Sequence, residues 1–182
     1  AIHFENNEVG FTERNVLALC SIGKSTKQAS DPRYIGNKGI GWKSVFKISP
    51  RPQVHSRNYH LQFNALDPSG LGYIVPTPAA PPEGWLGDGT TITLNLEQGR
   101  ASEALRDFRI ALDEIKPSLL LFLHQLRRLD VVDEDLGLCR AMARLAHPTD
   151  ASVLILEESE ERVGHATLSR RQRFARASGA VG

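Results

Sequence analysis

The most informative part of this chain is the stretch Gly36–Phe46, which reads GNKGIGWKSVF. Its glycines at positions 36, 39 and 41 lie directly before a segment that is compatible with a helix. Glycine lets the backbone pass close to a ligand because no Cβ intrudes, and the free N–H groups at the start of a helix favour an anion. The pattern predicts a phosphate-binding loop, with a tight turn built for steric reasons as the alternative.

Two better-known phosphate motifs do not fit. The segment Gly23–Thr26 looks like the end of a P-loop, but the glycine that this motif requires earlier falls at Ala18. The glycine order 36, 39, 41 is the reverse of the dinucleotide fingerprint, and no acidic residue follows about 20 positions later to hold a ribose. The sequence therefore predicts neither a Walker site nor a Rossmann site.

Composition narrows the class of protein. The 182 residues include 22 basic and 21 acidic side chains, so the net charge of +1 offers no general attraction to nucleic acid or an anionic membrane. The longest apolar run, Leu119–Leu123, is far shorter than the ~20 residues that span a bilayer. Cys20 and Cys139 lie in apolar stretches, which predicts buried thiols in a reducing, intracellular compartment, cytoplasmic or nuclear.

Two further motifs flank the glycine stretch. Upstream lies Phe4–Phe11, FENNEVGF, after which Thr12 is a good N-cap for a helix that Gly23 could close. That helix is expected to face the core with Val16, Leu17, Leu19 and Cys20. Downstream lies Gly89–Leu94, GTTITL, which predicts a strand entered through a glycine and threonines.

The other elements are predicted from turn signals and periodicity. Between residues 52 and 98 short strands are expected: a hairpin of 54–56 and 59–63 around Arg57-Asn58, an apolar run at 73–75, and an alternating strand at 90–96. Apolar residues at helical spacing predict a helix from 101 to about 115, and Pro117 separates it from a second helix at 118–129. Strands at 129–132, 138–145 and 153–156 follow, and the arginine-rich segment after Glu157 is expected to be a solvated tail.

The three motifs, in this order, resemble the GHKL superfamily of ATP-binding domains (gyrase, heat-shock ninety-kilodalton chaperone, histidine kinase, mismatch-repair ATPase). Asn6–Gly10 matches the adenine motif D-x-G-x-G, Gly36–Gly41 matches the phosphate loop G-x-x-G-x-G, and Gly89-Thr90 matches the G-T strand motif. Residues 12–35 correspond to the ATP lid. The phrases NNEVGF, GKSTK, YIGNKGIGWKSVF and LLLFLHQLRRL are similar to the NO VEIN-like branch and, more distantly, to the sacsin-like branch.

The resemblance covers about residues 2–132 and implies a fold. That fold is an α/β (α+β) two-layer Bergerat sandwich, a mixed and largely antiparallel sheet with helices on one face, followed by a helical hairpin and strands. The expected organisation is a truncated ATP-binding domain at 1–98, a helical hairpin with strands at 101–158 that could begin a transducer-like region, and a charged, flexible tail at 159–182. Because Ala1 already lies on the strand of the adenine motif, we expect an N-terminally truncated fragment.

The resemblance also implies a nucleotide site. The residues expected to hold ATP or ADP are Asn6, Gly10, Lys24, Ser25, Gly36, Lys38, Gly39, Ile40, Gly41 and Thr90. Asn6 takes the place of the family's aspartate, which accepts a hydrogen bond from the adenine amino group, and Glu8 replaces the motif's first glycine. Lys43, like Lys38, could add charge near the phosphates or be an ordinary surface lysine.

The implied function is ATP binding in which lid closure changes contacts with a protein partner or with other domains of the full-length protein. The family's Mg²⁺-binding Asn, and often its water-activating Glu, lie on a helix before the adenine motif, so any catalytic residues and the Mg²⁺ site are expected upstream of Ala1. Hydrolysis is left open. The alternative is a nucleotide-free pseudo-ATPase interaction module. No membrane or nucleic-acid partner is expected, and a dimer is compatible with the superfamily.

Overall fold

A computed structural model of the chain describes residues 1–21, 41–85, 87–97, 99, 101–123, 125–163 and 168–175. The chain divides into two compact units, residues 1–109 and 110–182. Each contains an antiparallel sheet, of five strands in the first and four in the second. This α+β architecture, with few helices, agrees with the predicted fold class at that level. The boundary was expected between residues 98 and 101, where a helix begins. The two units divide later in that helix, between residues 109 and 110.

The first unit contains the motif-bearing half of the chain. Its elements are β1 (Ile2–Asn6), α1 (Glu13–Leu19), a 3₁₀ helix (Trp42–Lys47), β2 (Arg51–Ser56), β3 (Tyr59–Gln62), β4 (Thr77–Pro78), β5 (Thr90–Asn95) and most of α2 (Ala101–Asp113). The strand order is β1-β5-β2-β3-β4. The predicted hairpin is confirmed as β2 and β3, with Ser56 opposite Tyr59, and the predicted strand at 90–96 is confirmed as β5.

The core of this unit lies on one face of the sheet, where alternate residues of neighbouring strands meet. Val54 and Leu94 are almost completely buried, and Phe63 lies in a cluster of aromatic rings with Trp42 and Phe46. The ring of Phe108 on α2 meets the ring of Phe4 edge to face, with their centroids 5.9 Å apart. This contact packs α2 against β1.

Two expectations in the first unit were wrong. Residues 73–75 form a turn rather than a strand, because the N–H groups of Ile74 and Val75 both donate to the carbonyl of Leu71. The α1 helix ends at Leu19, and although its predicted inward residues are mostly half-buried, Leu17 is 58% exposed. A helix of seven residues has too few turns to bury a full apolar stripe. Gly23, its expected end, lies outside the described residues.

The second unit is an antiparallel meander with a short helix. Its elements are α3 (Leu119–Phe122), β6 (Arg128–Asp133), β7 (Leu138–Ala146), β8 (Val153–Arg162) and β9 (Leu168–Ala175), in the order β6-β7-β8-β9. Leu120 packs with Met142 and Leu156 in its core. The buried Arg140 binds the carboxylate of Glu158, and its guanidinium also donates to the carbonyl of residue 112 in the last turn of α2 and to that of residue 115 just after this helix.

The predicted second helix at 118–129 was wrong beyond its first turn. Helix α3 has four residues, and Arg128 and Leu129 already belong to β6, where they pair with Ala143 and Met142 of β7. The leucine-rich run fits helical spacing, but the hydrogen bonds of the β6–β7 ladder decide the outcome, as tertiary pairing often overrides local preference.

The predicted tail at 159–182 also needs correction. Strand β8 continues to Arg162, and residues 168–175 form β9; residues 164–167 and 176–182 lie outside the described residues. The register places Glu157 opposite Arg171 and Glu158 opposite Arg170. Backbone pairing with β8 therefore makes a strand of a segment whose charge predicted a solvated tail.

The burial of the two cysteines was only partly predicted. Cys20 is half-buried, but Cys139 is exposed. Successive residues of a strand point to opposite faces, and Arg140 and Met142 of β7 are the buried ones. Cys139 therefore lies on the other face, which its apolar neighbours in the sequence did not indicate.

The stripe predicted on α2 is half-buried rather than fully buried: no residue of this helix is completely covered, and Ala111 of the stripe is exposed. Within the described segments, no helix has the length and apolarity needed to cross a membrane.

Candidate functional site

Three strands of the first sheet meet at one end of the sheet. The last residue of β1, Asn6, is paired with the first residue of β5, Thr90, which is paired in turn with the last residue of β2, Ser56. Gly89 precedes Thr90, and Gly10 follows Asn6 in the loop after β1. We call these five residues the Asn6 cluster. It brings together three predicted site residues, Asn6, Gly10 and Thr90, from parts of the chain that are more than 80 residues apart.

A buried hydroxyl network lies at the centre of the cluster. Ser56 and Thr90 are 0% and 2% exposed, and their hydroxyl oxygens are 2.6 Å apart. The N–H of Phe11 donates to Ser56 Oγ at 2.8 Å, and the carbonyl oxygen of Gly89 lies 3.3 Å from the same atom. A hydroxyl has one proton and two lone pairs. Ser56 accepts from Phe11 and either donates to or accepts from Thr90, so this network fixes the position of the Thr90 hydroxyl.

Gly89 makes the closest backbone approach in the cluster. Its φ is +72°, and a Cβ at this position would lie 2.0 Å from the carbonyl oxygen of Asn6. Only glycine allows both the left-handed conformation and this contact. The G-T motif therefore has a structural reason: the glycine lets β5 enter the sheet directly against the end of β1.

Arg57 fastens the loop after β1 to the β2–β3 hairpin. Its Nε donates to the carbonyl of Val9 at 2.6 Å, and its side-chain stem lies against Gly10, where a Cβ would be 2.6 Å from Arg57 Cγ. Gly10 itself has a φ of +81°. Trp85 Nε1 donates to the carbonyl of Arg57 at 3.4 Å. The loop thus has a defined position relative to Ser56 and Thr90.

The side chain of Asn6 is exposed and organised by its own loop. The N–H of Glu8 donates to Asn6 Oδ1 at 3.2 Å. Because a backbone N–H needs an acceptor, this contact identifies which end of the Asn6 amide is the oxygen. The NH₂ group is then the donor end of the side chain. Glu8, the departure from the family motif, is also exposed.

Lys43 is half-buried and contacts backbone carbonyls, so it is not an ordinary surface lysine. Its ammonium donates to the carbonyl of Leu19 at 2.8 Å and to the carbonyl of Tyr73, and it lies 5.4 Å from the centroid of the Phe63 ring. Burial lowers the pKa of this ammonium, an effect that the neighbouring Cys20 partly offsets. Burial likewise raises the pKa of the Cys20 thiol, with Lys43 acting in the opposite direction. Lys43 thus satisfies a free carbonyl at the end of α1.

Gly41 is the N-cap of the 3₁₀ helix. Its carbonyl accepts from the N–H of Ser44 at 3.2 Å and from the hydroxyl of Ser44 at 2.7 Å. Its φ is −58°, and a Cβ here would meet no described atom within 4 Å. Neither backbone strain nor crowding by the described residues therefore requires glycine at this position. The other site residues predicted for the lid and phosphate loop lie outside the described residues: Lys24, Ser25, Gly36, Lys38, Gly39 and Ile40.

Ser56 and Arg57 were missed as site residues. Both occupy the end of a predicted hairpin, and a turn position gave no reason to expect a contact with a loop more than 40 residues earlier. Their one sequence signal is the hairpin itself, which places residue 56 at a strand end.

Two other features do not belong to this cluster. Within the described ranges, no group of three or more His, Cys, Asp and Glu side chains converges in the manner of a metal site. A cavity of about 400 Å³ lies on the sheet of the second unit, lined by Arg128, Ala141, Ala143, Glu157, Glu158, Ser159 and Ser169, and it includes none of the predicted site residues.

Comparison with known proteins gives one clear relationship. No protein-family model matches the chain. Protein NO VEIN of Arabidopsis thaliana is 37% identical over 160 residues, which cover 74% of this chain and 6% of NO VEIN. This chain is similar to a short part of NO VEIN. This confirms the predicted relationship to NO VEIN. The chain spans about 6% of the length of that protein, so an activity of the whole protein can only be proposed for this chain.

Proposed function

We propose that this chain is a nucleotide-binding domain of the GHKL type, with the Bergerat arrangement, and that the Asn6 cluster receives the base of ATP or ADP. The observation that carries the proposal is the pairing of Asn6 with Thr90 at one end of the sheet, beside the buried hydroxyl of Ser56. Two motifs assigned to the base on sequence grounds, 84 positions apart, are neighbours in the fold.

The chemistry of the cluster suits a purine. The Asn6 amide and the Thr90 hydroxyl supply hydrogen-bonding groups whose positions are set by Glu8 N–H and by Ser56. Gly10 presents no side chain beyond its backbone. A planar base needs a few fixed polar groups, and the cluster has them.

The phosphates are assigned to the glycine stretch. Gly41 closes that stretch, and neither its φ nor its described surroundings demand a glycine, so a close approach by a ligand is the reason that the proposal gives for it. Gly36 and Gly39 would contribute backbone N–H groups in the same way. The Mg²⁺-binding and water-activating residues of the superfamily lie on a helix before the adenine motif, so the proposal for this chain is confined to nucleotide binding, with lid closure coupled to partner or domain contacts.

The proposal is tested by calorimetric titration of the folded chain with ADP, and by the same titration of Thr90→Val. This substitution keeps the shape of the side chain and removes the hydroxyl, so we expect affinity to fall about five- to tenfold, the loss of roughly one hydrogen bond. Thr93→Val is the matched control, since Thr93 is a buried threonine on the same strand whose hydroxyl instead contacts His3 Nδ1 at 3.1 Å. It should bind ADP as the wild type does.

Absence of heat and of a shift in melting temperature at millimolar ADP, with circular dichroism showing a folded chain, would contradict the proposal. That result would favour the nucleotide-free interaction module. Equal loss of affinity in both threonine variants would also count against the assignment of the base to the Asn6 cluster.

A further inference from the structure

The base-recognition residue of this chain is an amide whose orientation is fixed. Asn6 Oδ1 already accepts the N–H of Glu8 at 3.2 Å. Turning the amide over would break this hydrogen bond, because it would set a donor NH₂ against a donor N–H. The exposed side chain therefore presents its NH₂ group and the remaining lone pair of Oδ1 together.

An amide and a carboxylate read the C6 position of a purine differently. Adenine carries an amino group there, with an acceptor at N1, whereas guanine and hypoxanthine carry a carbonyl oxygen, with an N–H at N1. A carboxylate only accepts hydrogen bonds and is negative, so it favours the amino group and repels the carbonyl oxygen. An amide has both a donor and an acceptor and forms paired hydrogen bonds with either edge.

The second polar group of the cluster is equally permissive. Ser56 has a single proton, which goes either to the Gly89 carbonyl or to Thr90 Oγ1. In the first case the Thr90 hydroxyl donates to Ser56, and in the second it accepts from Ser56 and keeps its own proton. The hydrogen-bonding polarity of this pair can thus reverse without any movement of heavy atoms, and because Thr90 is 2% exposed the pair supports the Asn6 amide from below the surface of the cluster.

We infer that the site is a purine-nucleotide site that accepts 6-oxopurine nucleotides as well as adenine nucleotides, and that Asn6 sets this breadth. The inference rests on the proposed function, because it specifies which bases the proposed site takes. It follows from the Asn6 amide, from its hydrogen bond with Glu8 and from the reversible polarity of the Ser56–Thr90 pair.

The test compares ADP with IDP, which differ only at C6 and N1 of the base. Calorimetric titrations of the wild-type chain should give dissociation constants within about tenfold of each other. Asn6→Asp is isosteric, at an exposed position, and restores the acceptor-only chemistry. It should shift the ratio toward ADP by at least about thirtyfold, since a site with fixed hydrogen-bonding character strongly rejects a mismatched edge.

Asn7→Asp is the matched control. It is the adjacent exposed residue and introduces the same charge, so it should change both affinities by the same factor and leave the ratio within twofold of wild type. A wild-type preference for ADP of more than a hundredfold, or an unchanged ratio in Asn6→Asp, would overturn the inference and leave the proposed function standing. If neither nucleotide binds any of the three folded proteins at millimolar concentration, the proposed function fails and takes the inference with it.

Discussion

Gly89 is the residue on which the geometry of the Asn6 cluster depends most directly. We expect Gly89→Ala to lower the free energy of unfolding of the first unit by about 2–4 kcal/mol, because the added Cβ combines left-handed strain with a clash against the Asn6 carbonyl. That carbonyl belongs to the β1–β5 end and cannot retreat without disturbing the pairing there. Urea unfolding followed by tryptophan fluorescence reports on this unit, since both tryptophans, Trp42 and Trp85, belong to it.

Gly70→Ala separates the two contributions. Gly70 has nearly the same φ, +71° against +72°, but a Cβ there meets no described atom within 4 Å. Only the strain of the left-handed conformation remains at residue 70, so the free energy of unfolding should fall by about 1 kcal/mol. Equal losses in the two variants would show that the approach of Gly89 to Asn6 does not constrain the fold.

His55 gives the first unit a pH dependence. The imidazole is 1% exposed, and its Nδ1 lies 3.2 Å from His60 Nδ1. Burial lowers the pKa of His55, and the neighbouring His60 lowers it further. The unfolded chain therefore binds a proton at this residue more readily than the folded chain does, so stability falls as the pH drops through the ordinary histidine pKa of about 6.5. One histidine contributes at most about 1.4 kcal/mol per pH unit.

The measurement is the urea midpoint, by tryptophan fluorescence, at pH 7.5, 6.5 and 5.5. We expect the wild type to lose stability toward pH 5.5 and His55→Gln to show a flatter profile. His3→Gln, at an exposed position on the same sheet, should keep the wild-type slope. A His55→Gln profile parallel to the wild type would assign the pH dependence to other groups.

Most secondary-structure elements with a strong local signal were predicted, including strands β6, β7 and β8, whereas strand β9 was not. The β2–β3 hairpin, strand β5 and helix α2 carry turn residues or a clear period in their own sequence. Strand β9 has no such signal, because it forms by pairing with β8. The continuation of the leucine-rich run as a helix failed for a related reason, since β6 gains its hydrogen bonds from β7.

The β8–β9 pairing leads to a prediction based on charge. Arg170→Glu with Arg171→Glu places like charges opposite Glu158 and Glu157. With each cross-strand pair contributing about 0.2–1 kcal/mol, the double variant should lose about 1–3 kcal/mol. Hydrogen exchange, measured by mass spectrometry on peptides from β8, should then be about tenfold faster than in the wild type.

The charge-swapped protein provides the control for this prediction. Adding Glu157→Arg alone to the double variant restores opposite charges at positions 157 and 171 and keeps the Arg140–Glu158 ion pair, so exchange should return about halfway to the wild-type rate. Exchange that stays fast after the swap, or that never rises in the double variant, would mean that charge complementarity does not hold β9 in place.

Across the chain as a whole, local patterns predicted the separate segments of the candidate site but not that these segments lie side by side in the fold. Residues 1–4 and the alternation at 90–96 predict strands, yet neither signal says which strands are neighbours, and β1 and β5 pair across more than 80 residues. The resemblance to an ATP-binding superfamily supplied that expectation for Asn6 and Thr90. It did not supply Ser56 or Arg57, whose contacts depend on the course of the loop after β1. The relationship to NO VEIN extends over 74% of the chain.

The most direct test of the proposed site is an NMR titration of the ¹⁵N-labelled chain with ADP. We expect saturable shifts of the backbone amides to concentrate at Asn6, Gly10, Gly89 and Thr90, with amides of β6–β8 in the second unit shifting far less. Unchanged spectra at millimolar ADP, or saturable shifts confined to residues outside the Asn6 cluster, would contradict the assignment of the base to this end of the sheet.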